Sequence, residues 1–445
     1  MSHYAAYPAY KDSGVEWLGR VPVGWIVTSI KRIVSTPITD GPHETPVFLD
    51  EGVPFVSAEA VSSGVVDFSK IRGFISREDQ TRFSQKYAPK RDDIFMIKSG
   101  ATTGVTAIVE TDEEFNIWSP LAVIRCGNKA NARYALHFVR SRSFQEAVEL
   151  YWSYGTQQNI GMGVIGDLAM PIPPIEEQRA ITAHLDRETV RLDGLVAKKT
   201  RFIELLREKR QALITHAVTK GLDPTAKMKD SGVEWLGQVP EHWAVRPIKH
   251  LAKFFSGGTP SKDTREFWDG TVPWASAKDL KRDWLYDTED HITELALQVG
   301  EARLVPVDSV LVVVRGMILA RIFPVVEVGV PMAINQDLKA LVARQELHPK
   351  FLALLLRGLA DESLRRLEEA GHGTKALRME AWTSMELTVP PLAEQQTIVS
   401  SVDRETTRLD TLIEKTERSI ALIKERRAAL ITAAVTGQID LRAAP

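Results

Sequence analysis

A chain of 445 residues can bury several cores, and a 44% hydrophobic, 26% charged composition is that of an ordinary globular protein. Its net charge of -2 excludes a protein that coats nucleic acid by bulk positive charge, so DNA contact would need local patches or a partner's charge. The lone Cys126 excludes an intrachain disulfide, and neither a signal peptide nor a run of the ~18 apolar residues of a membrane span is visible, so the expected location is the cytoplasm.

The first element is a short frame, KDSGVEWLGRVPVGWIVTSIKRI, from Lys11 to Ile33. It returns without a gap as KDSGVEWLGQVPEHWAVRPIKHL from Lys229 to Leu251, so the chain is written twice. Each frame reads as a connecting segment whose tryptophans, Trp17 and Trp25 or Trp235 and Trp243, anchor it in hydrophobic surface.

Next come short β-rich runs, TAIV at Thr106 and LAVIR at Leu121, and a helical segment RYALHFVRSRSFQEAVELYW from Arg133. They predict an α+β domain with a twisted mixed sheet. Three polar loops interrupt it: ITDGPHETP with His43 and Thr45, KSGATTG with Lys98, Ser99, Thr102 and Thr103, and GTQQN with Gln157, Gln158 and Asn159. Such side chains reach phosphates or base edges, although each also fits ordinary turn chemistry. Gly161-Met-Gly-Val-Ile-Gly166 matches a dinucleotide pattern, but no clear strand leads in and Pro171 arrives before a helix could carry a phosphate.

From Pro173 the pattern turns helical. Glu176 and Glu177 sit in a first turn, and Leu185, Leu192, Val196, Ile203, Leu206 and Leu213 recur at three and four on one seam. The second copy, from Pro390, repeats this with Val402, Leu409, Ile413, Ile420, Ile423 and Leu430, and Gly221 and Gly437 stop the two helices. About 43 residues at 1.5 Å each make a rod of about 65 Å, which needs a partner for its seam. Pairing the two rods under a pseudo-two-fold sets them antiparallel, with the middle domains at opposite ends and Lys199 and Arg210 on or near the seam fixing register. The alternative is that each helix lies along its own domain. Glu177 and Glu394, at the helix starts, read as capping or docking groups.

The second middle contains SVLVVV at Ser309, LKALV at Leu338 and the helical PKFLALLLRGLADESLRRLEEA from Pro349. VPWAS at Val272 answers VPFVS at Val53, and VVVRG ending at Gly316 answers FMIKSG ending at Gly100. Its polar loops offer Thr259, Ser261 and Lys262, then Ser276 and Lys278, Arg315, and Thr374 and Lys375. Asp279-Leu-Lys281 and Asp337-Leu-Lys339 resemble the tail of a metal-dependent nuclease motif, but three-letter patterns arise by chance, and no zinc signature or nucleophile elbow is present. Nearly fixed frames around divergent middles describe one scaffold holding two different readers.

Together these motifs (SGVEWLG opening each half, PPIEEQ and PPLAEQ, DRET with RLD, REKRQALIT and KERRAALIT, VTKGLD and VTGQID) resemble the specificity subunit of a type I restriction-modification system. The resemblance implies target-recognition domains at 1–170 and 222–388, each reading one half of a split, asymmetric DNA sequence, and spacer helices at 171–221 and 389–445 that set the gap. It implies a non-catalytic chain without cofactor of its own. Its partners would be double-stranded DNA, two methyltransferase subunits carrying S-adenosylmethionine, and restriction/translocase subunits using ATP and magnesium; no membrane is involved. The reading from another class is a coiled-coil scaffold that binds proteins without reading DNA.

Overall fold

The computed structural model describes residues 4–154, 158–369 and 374–442. The chain folds as two compact units, Met1–Thr200 with Arg418–Pro445, and Arg201–Glu417. Each unit therefore contains part of both long helices, Ile175–Lys220 and Leu392–Val435.

In the first unit the main sheet runs in the order Thr39–Asp40, Leu121–Ile124, Ile94–Ile97, Thr106–Ile108, every neighbour antiparallel. A smaller sheet places Val53–Val56 between Phe74–Ile75, antiparallel, and Asn116–Ile117, parallel. The second unit repeats this plan with Ala252–Ser256, Leu338–Ala343, Val310–Val313 and Val325–Val328 in the main sheet, and adds Trp284–Leu285 beside the last of these, in parallel. There Trp268–Ala275 lies between Asp290–Ile292, antiparallel, and Met332–Ile334, parallel. Register is shared as well: Ile94 faces Ile124 and Ile108, and Val310 faces Leu341 and Glu327. Both central strands are wholly buried, in keeping with their unbroken apolar runs, IFMI and VLVV.

Each repeated frame forms a small antiparallel ribbon, with Tyr10–Asp12 on Arg20–Pro22 and Met228–Asp230 on Gln238–Pro240. Trp25 and Trp243 are among the most deeply buried side chains of their units, while Trp17 and Trp235 pack half-buried against the cores.

All twelve seam residues are buried or half-buried. In the second unit Arg207 pairs with Glu417 at 3.0 Å and Arg210 with Asp410 at 3.1 Å, so the helices run antiparallel there. In the first unit Asp193 pairs with Arg427 at 2.9 Å, and Leu185 shares a core with Leu430 and Ile431. The helix ends are buried more broadly than a single seam. Ile431, Ala434 and Val435 enter the core of the first unit, and Ile214, Ala217 and Val218 that of the second, so each core is completed by the helix end of the other repeat. Gly221 and Gly437 close the helices with φ of 79° and 74°.

Three local expectations change. The segment from Arg133 is two helices, Ala132–Val139 and Arg142–Tyr151, because Ser141 caps the second by accepting from the Phe144 amide. The segment from Pro349 is also two helices, Pro349–Gly358 and Ala360–Leu364, followed by a strand, Leu367–Glu369. A six-residue helix, Met162–Asp167, does precede Pro171, but the strand before it, Gln158–Asn159, pairs antiparallel and no parallel βαβ unit is formed. Among the described residues no helix is long and apolar enough to cross a membrane, and no group of three or more His, Cys, Asp or Glu side chains is gathered to hold a metal ion.

Candidate nucleic-acid interface

The three polar loops of the first unit meet at one end of its main sheet. Strand Ile94–Ile97 delivers Lys98, whose amide donates to Pro120 O at 2.8 Å and whose carbonyl accepts from Ile160 N at 2.9 Å. Ser99 bridges to Asn159, and Gly100 N donates to Gln158 O at 3.0 Å. Thr103 Oγ1 closes the KSGATTG turn on Gly100 O at 2.7 Å and reaches Gln158 O at 3.3 Å, which ties the turn to the Gln158–Asn159 strand, while Thr102 stays exposed. Gln157 lies outside the described residues.

The ITDGPHETP loop joins them through Gly41. A Cβ at this position would stand 2.1 Å from Ile117 O, so only glycine lets the edge strand turn this close to its neighbour. The turn buries Asp40 completely and leaves His43 and Thr45 exposed. Lys98 Nζ and His43 Nε2 each stand 3.1 Å from Asp40 Oδ2. Lys86, just beyond the helix Arg77–Ser84, donates to Asp40 Oδ1 and, at 2.9 Å, to Gly41 O. Burial alone would push the Asp40 carboxyl up, but hydrogen bonds and charge from Lys86 and Lys98 outweigh it and hold the group below the usual carboxylate range.

In the second unit the same end of the sheet gathers a different set. Gly257 takes the place of Gly41, with a built Cβ 2.1 Å from both Ile334 O and Asn335 O. Gly258 N donates to Ile334 O, Asn335 N to Ala275 O and Val314 N to Asp337 O, which join three loop starts. Thr259 Oγ1 donates to Gln336 Oε1, and Lys339 to Ser256 Oγ. Arg315, exposed, is on a strand that pairs with Lys375–Leu377, next to Thr374; Lys375 is ion-paired with Glu369 at 2.6 Å. Ser276 donates through N and Oγ to Asp279 Oδ2, at 2.9 and 3.0 Å, as part of its own turn. Lys278 points to Asp290 at 2.8 Å and Glu289 at 3.4 Å, and these raise its pKa, the Asp290 hydrogen bond most. Ser261 and Lys262 are exposed on the segment after Gly257.

Both nuclease-like carboxylates serve turns, since Asp279 holds Ser276 and the Glu289 amide, and Asp337 Oδ2 accepts from Asn335 Nδ2 at 3.5 Å while its own amide donates back to Asn335 Oδ1 at 3.1 Å. Glu177 accepts from Tyr7 Oη at 2.6 Å and Trp25 Nε1 at 3.0 Å, while Glu394 stands 2.7 Å from His242, so both dock the opening frames. Sequence reasoning passed over Asp40 and Lys86 in the first unit and Ser256, Gln336 and Lys339 in the second. Asp40 and Lys339 lay inside segments already singled out; nothing local marked Lys86, which reaches the cluster from the turn after a separate helix.

A family model described as "Type I restriction modification DNA specificity domain" matches residues 42–199 and 240–422. The chain is 31% identical over 201 residues to the type I restriction enzyme EcoR124I/EcoR124II specificity subunit of Escherichia coli, an alignment that covers 45% of this chain and about half, 47%, of that relative. It is 22% identical over 440 residues to the putative type I restriction enzyme MjaX specificity subunit of Methanocaldococcus jannaschii, covering 96% of each. Among solved structures it resembles the HsdS subunit from Thermoanaerobacter tengcongensis, with TM-score 0.52 at 16% identity over 94% of this chain and 98% of that one. A chain from a study of complex assembly and conformational transition of the type I R-M system superimposes with TM-score 0.72, again at 16% identity, over 94% of this chain and 99% of that one; at such identity the likeness speaks for the fold. With the matched domain present twice and spanning most of the sequence, the chain belongs to the family of type I restriction-modification DNA specificity subunits.

Proposed function

We propose that this chain reads a bipartite, asymmetric DNA target, one half-site per unit, for a complex whose other subunits methylate and cleave. The observation that carries the reading is the duplicated sheet end: one backbone plan, repeated in register, presents His43, Lys86 and Ser99 in one unit and Thr259, Arg315 and Lys375 in the other. Identical readers would recognise a symmetric site; dissimilar ones on one scaffold recognise two different sequences. Under this proposal the paired helices set the number of unspecified base pairs between the half-sites.

The chain is itself non-catalytic in this reading. S-adenosylmethionine would be bound by two methyltransferase subunits, and ATP and magnesium by restriction/translocase subunits, all in the cytoplasm. Partner docking is supported by apolar side chains that the long helices leave in solvent: Val190 and Leu422 in the first unit, Phe202, Leu205 and Leu412 in the second. The near-neutral net charge also fits a reader whose partners supply phosphate contacts. Mapping methylated adenines in a genome that carries the system tests the proposal: a split motif with unlike halves is expected, and a continuous or palindromic motif overturns it.

A further inference from the structure

Asp40 and Ser256 hold the same address in the two units. Asp40 faces Ala122 and Ser256 faces Lys339 on edge strands of matching register, and each is followed by the glycine that presses against the next strand. On this common backbone the side chains differ. Where the first unit has Asp40, Lys98 and Ala122, the second has Ser256, Val314 and Lys339.

In the first unit Oδ1 of the buried Asp40 accepts a hydrogen bond from Lys86, and Oδ2 lies at ion-pair distance, 3.1 Å, from Lys98 and His43. Lys98 is nearly enclosed, its side chain 15% exposed, whereas that of Lys86 is 44% exposed. The Lys86 ammonium has three hydrogens, of which Asp40 and Gly41 O take two. One donor remains, with its direction fixed by the other two. A fixed donor suits an acceptor at a fixed place, and in the major groove guanine offers O6 and N7. Phosphate oxygens accept too, but a phosphate contact gains from unneutralised charge on a freely moving lysine. A buried carboxylate beneath Lys86, shared with Lys98, offsets part of that charge and supplies direction.

We propose that Asp40 is a positioning residue that aims Lys86 at a guanine in the half-site read by the first unit. This rests on the DNA-reading function proposed above. It gives that function a named base and a named donor, neither of which follows from the family.

The test uses the full chain in complex with its methyltransferase subunits and a duplex pool randomised across both half-sites, selected and sequenced for wild type, K86M, K86R and D40N. Wild type is expected to enrich a split site with guanine at one position of one half. K86M and D40N are expected to lose that preference by about tenfold while every other position stands, and K86R to keep it. K86M alters a half-exposed side chain, so it decides the matter should D40N fail to fold. Guanine preference intact in K86M overturns the inference. So does a K86M that binds all sequences more weakly with a shallower salt dependence, which marks a phosphate contact. A wild type that enriches no sequence overturns the DNA-reading function, and the inference with it.

Discussion

Gln178 and Gln395 make the same three hydrogen bonds in the two units. Each is fully buried in the first turn of its long helix and donates to two carbonyls, Gln178 to Pro173 O (2.9 Å) and Lys129 O (3.0 Å), Gln395 to Pro390 O (2.8 Å) and Glu346 O (2.9 Å). Each also accepts from a backbone amide ahead of a domain helix, at Asn131 and His348 respectively, both at 2.8 Å. Alanine at either position strands three polar groups without water. We predict that Q178A and Q395A each cost roughly 2–4 kcal/mol in urea unfolding. A loss below about 1 kcal/mol would show that the backbone finds other partners.

The ion pair between Asp193 and Arg427 recurs between Asp410 and Arg210, so the same charges join the helices inside each unit. Arg427 is about one-third exposed, at 33%, which limits what the pair contributes. We expect a double-mutant cycle on D193A and R427A to show a coupling of about 0.3–1 kcal/mol, shrinking in high salt. The pair then acts on register more than on stability. Zero coupling at low salt would assign register to the apolar seam alone.

Asp40 makes folding sensitive to acid. Its folded pKa lies below its unfolded value near 4, so its ion pairs stabilise the fold above about pH 4 and lose that contribution as pH falls through the folded pKa. We predict that the stability gap between wild type and D40N, followed by denaturant unfolding from pH 7 to 3, is widest at neutral pH and closes below about pH 4. A gap independent of pH would mean that packing around the side chain, not its charge, sets the difference.

The duplicated plan and the helical seam were legible because both are repeats: the frames open on the same letters, KDSGVEWLG, and Leu185 or Val402 recurs with its fellows at helical spacing. Ser141 was a readable break, since a serine three residues before Phe144 has the form of an N-cap. Gln178 was not legible as a buried group, because a glutamine in a first turn reads as solvated until the incoming loop covers it. The convergence of Asp40, Lys86 and Lys98 was equally hidden. Their contact depends on the register of Thr39–Asp40 against Leu121–Ile124 and on the turn that follows a separate helix, and neither follows from local propensity.

Modular reading gives the last prediction, and the fold specifies where to cut. Ile26 faces Ile172 and Ser29 faces Ala169, so the start and end of the first middle are strands of one ribbon; Ala244 facing Val389 and Pro247 facing Glu386 close the second in the same way. A graft that ends at Met170 would divide this ribbon and leave two strand residues of the host against a foreign partner. Replacing Gly24 to Ile172 as one piece keeps the ribbon whole, and both ends of the graft then lie side by side. We predict that such a chimera, carrying the corresponding segment of a relative with another target, acquires one new half-site and retains the second half-site and the spacing. Methylation mapping in cells expressing the chimera reads this directly. If both half-sites change together, recognition is shared between the units and the assignment of one half-site to each is wrong.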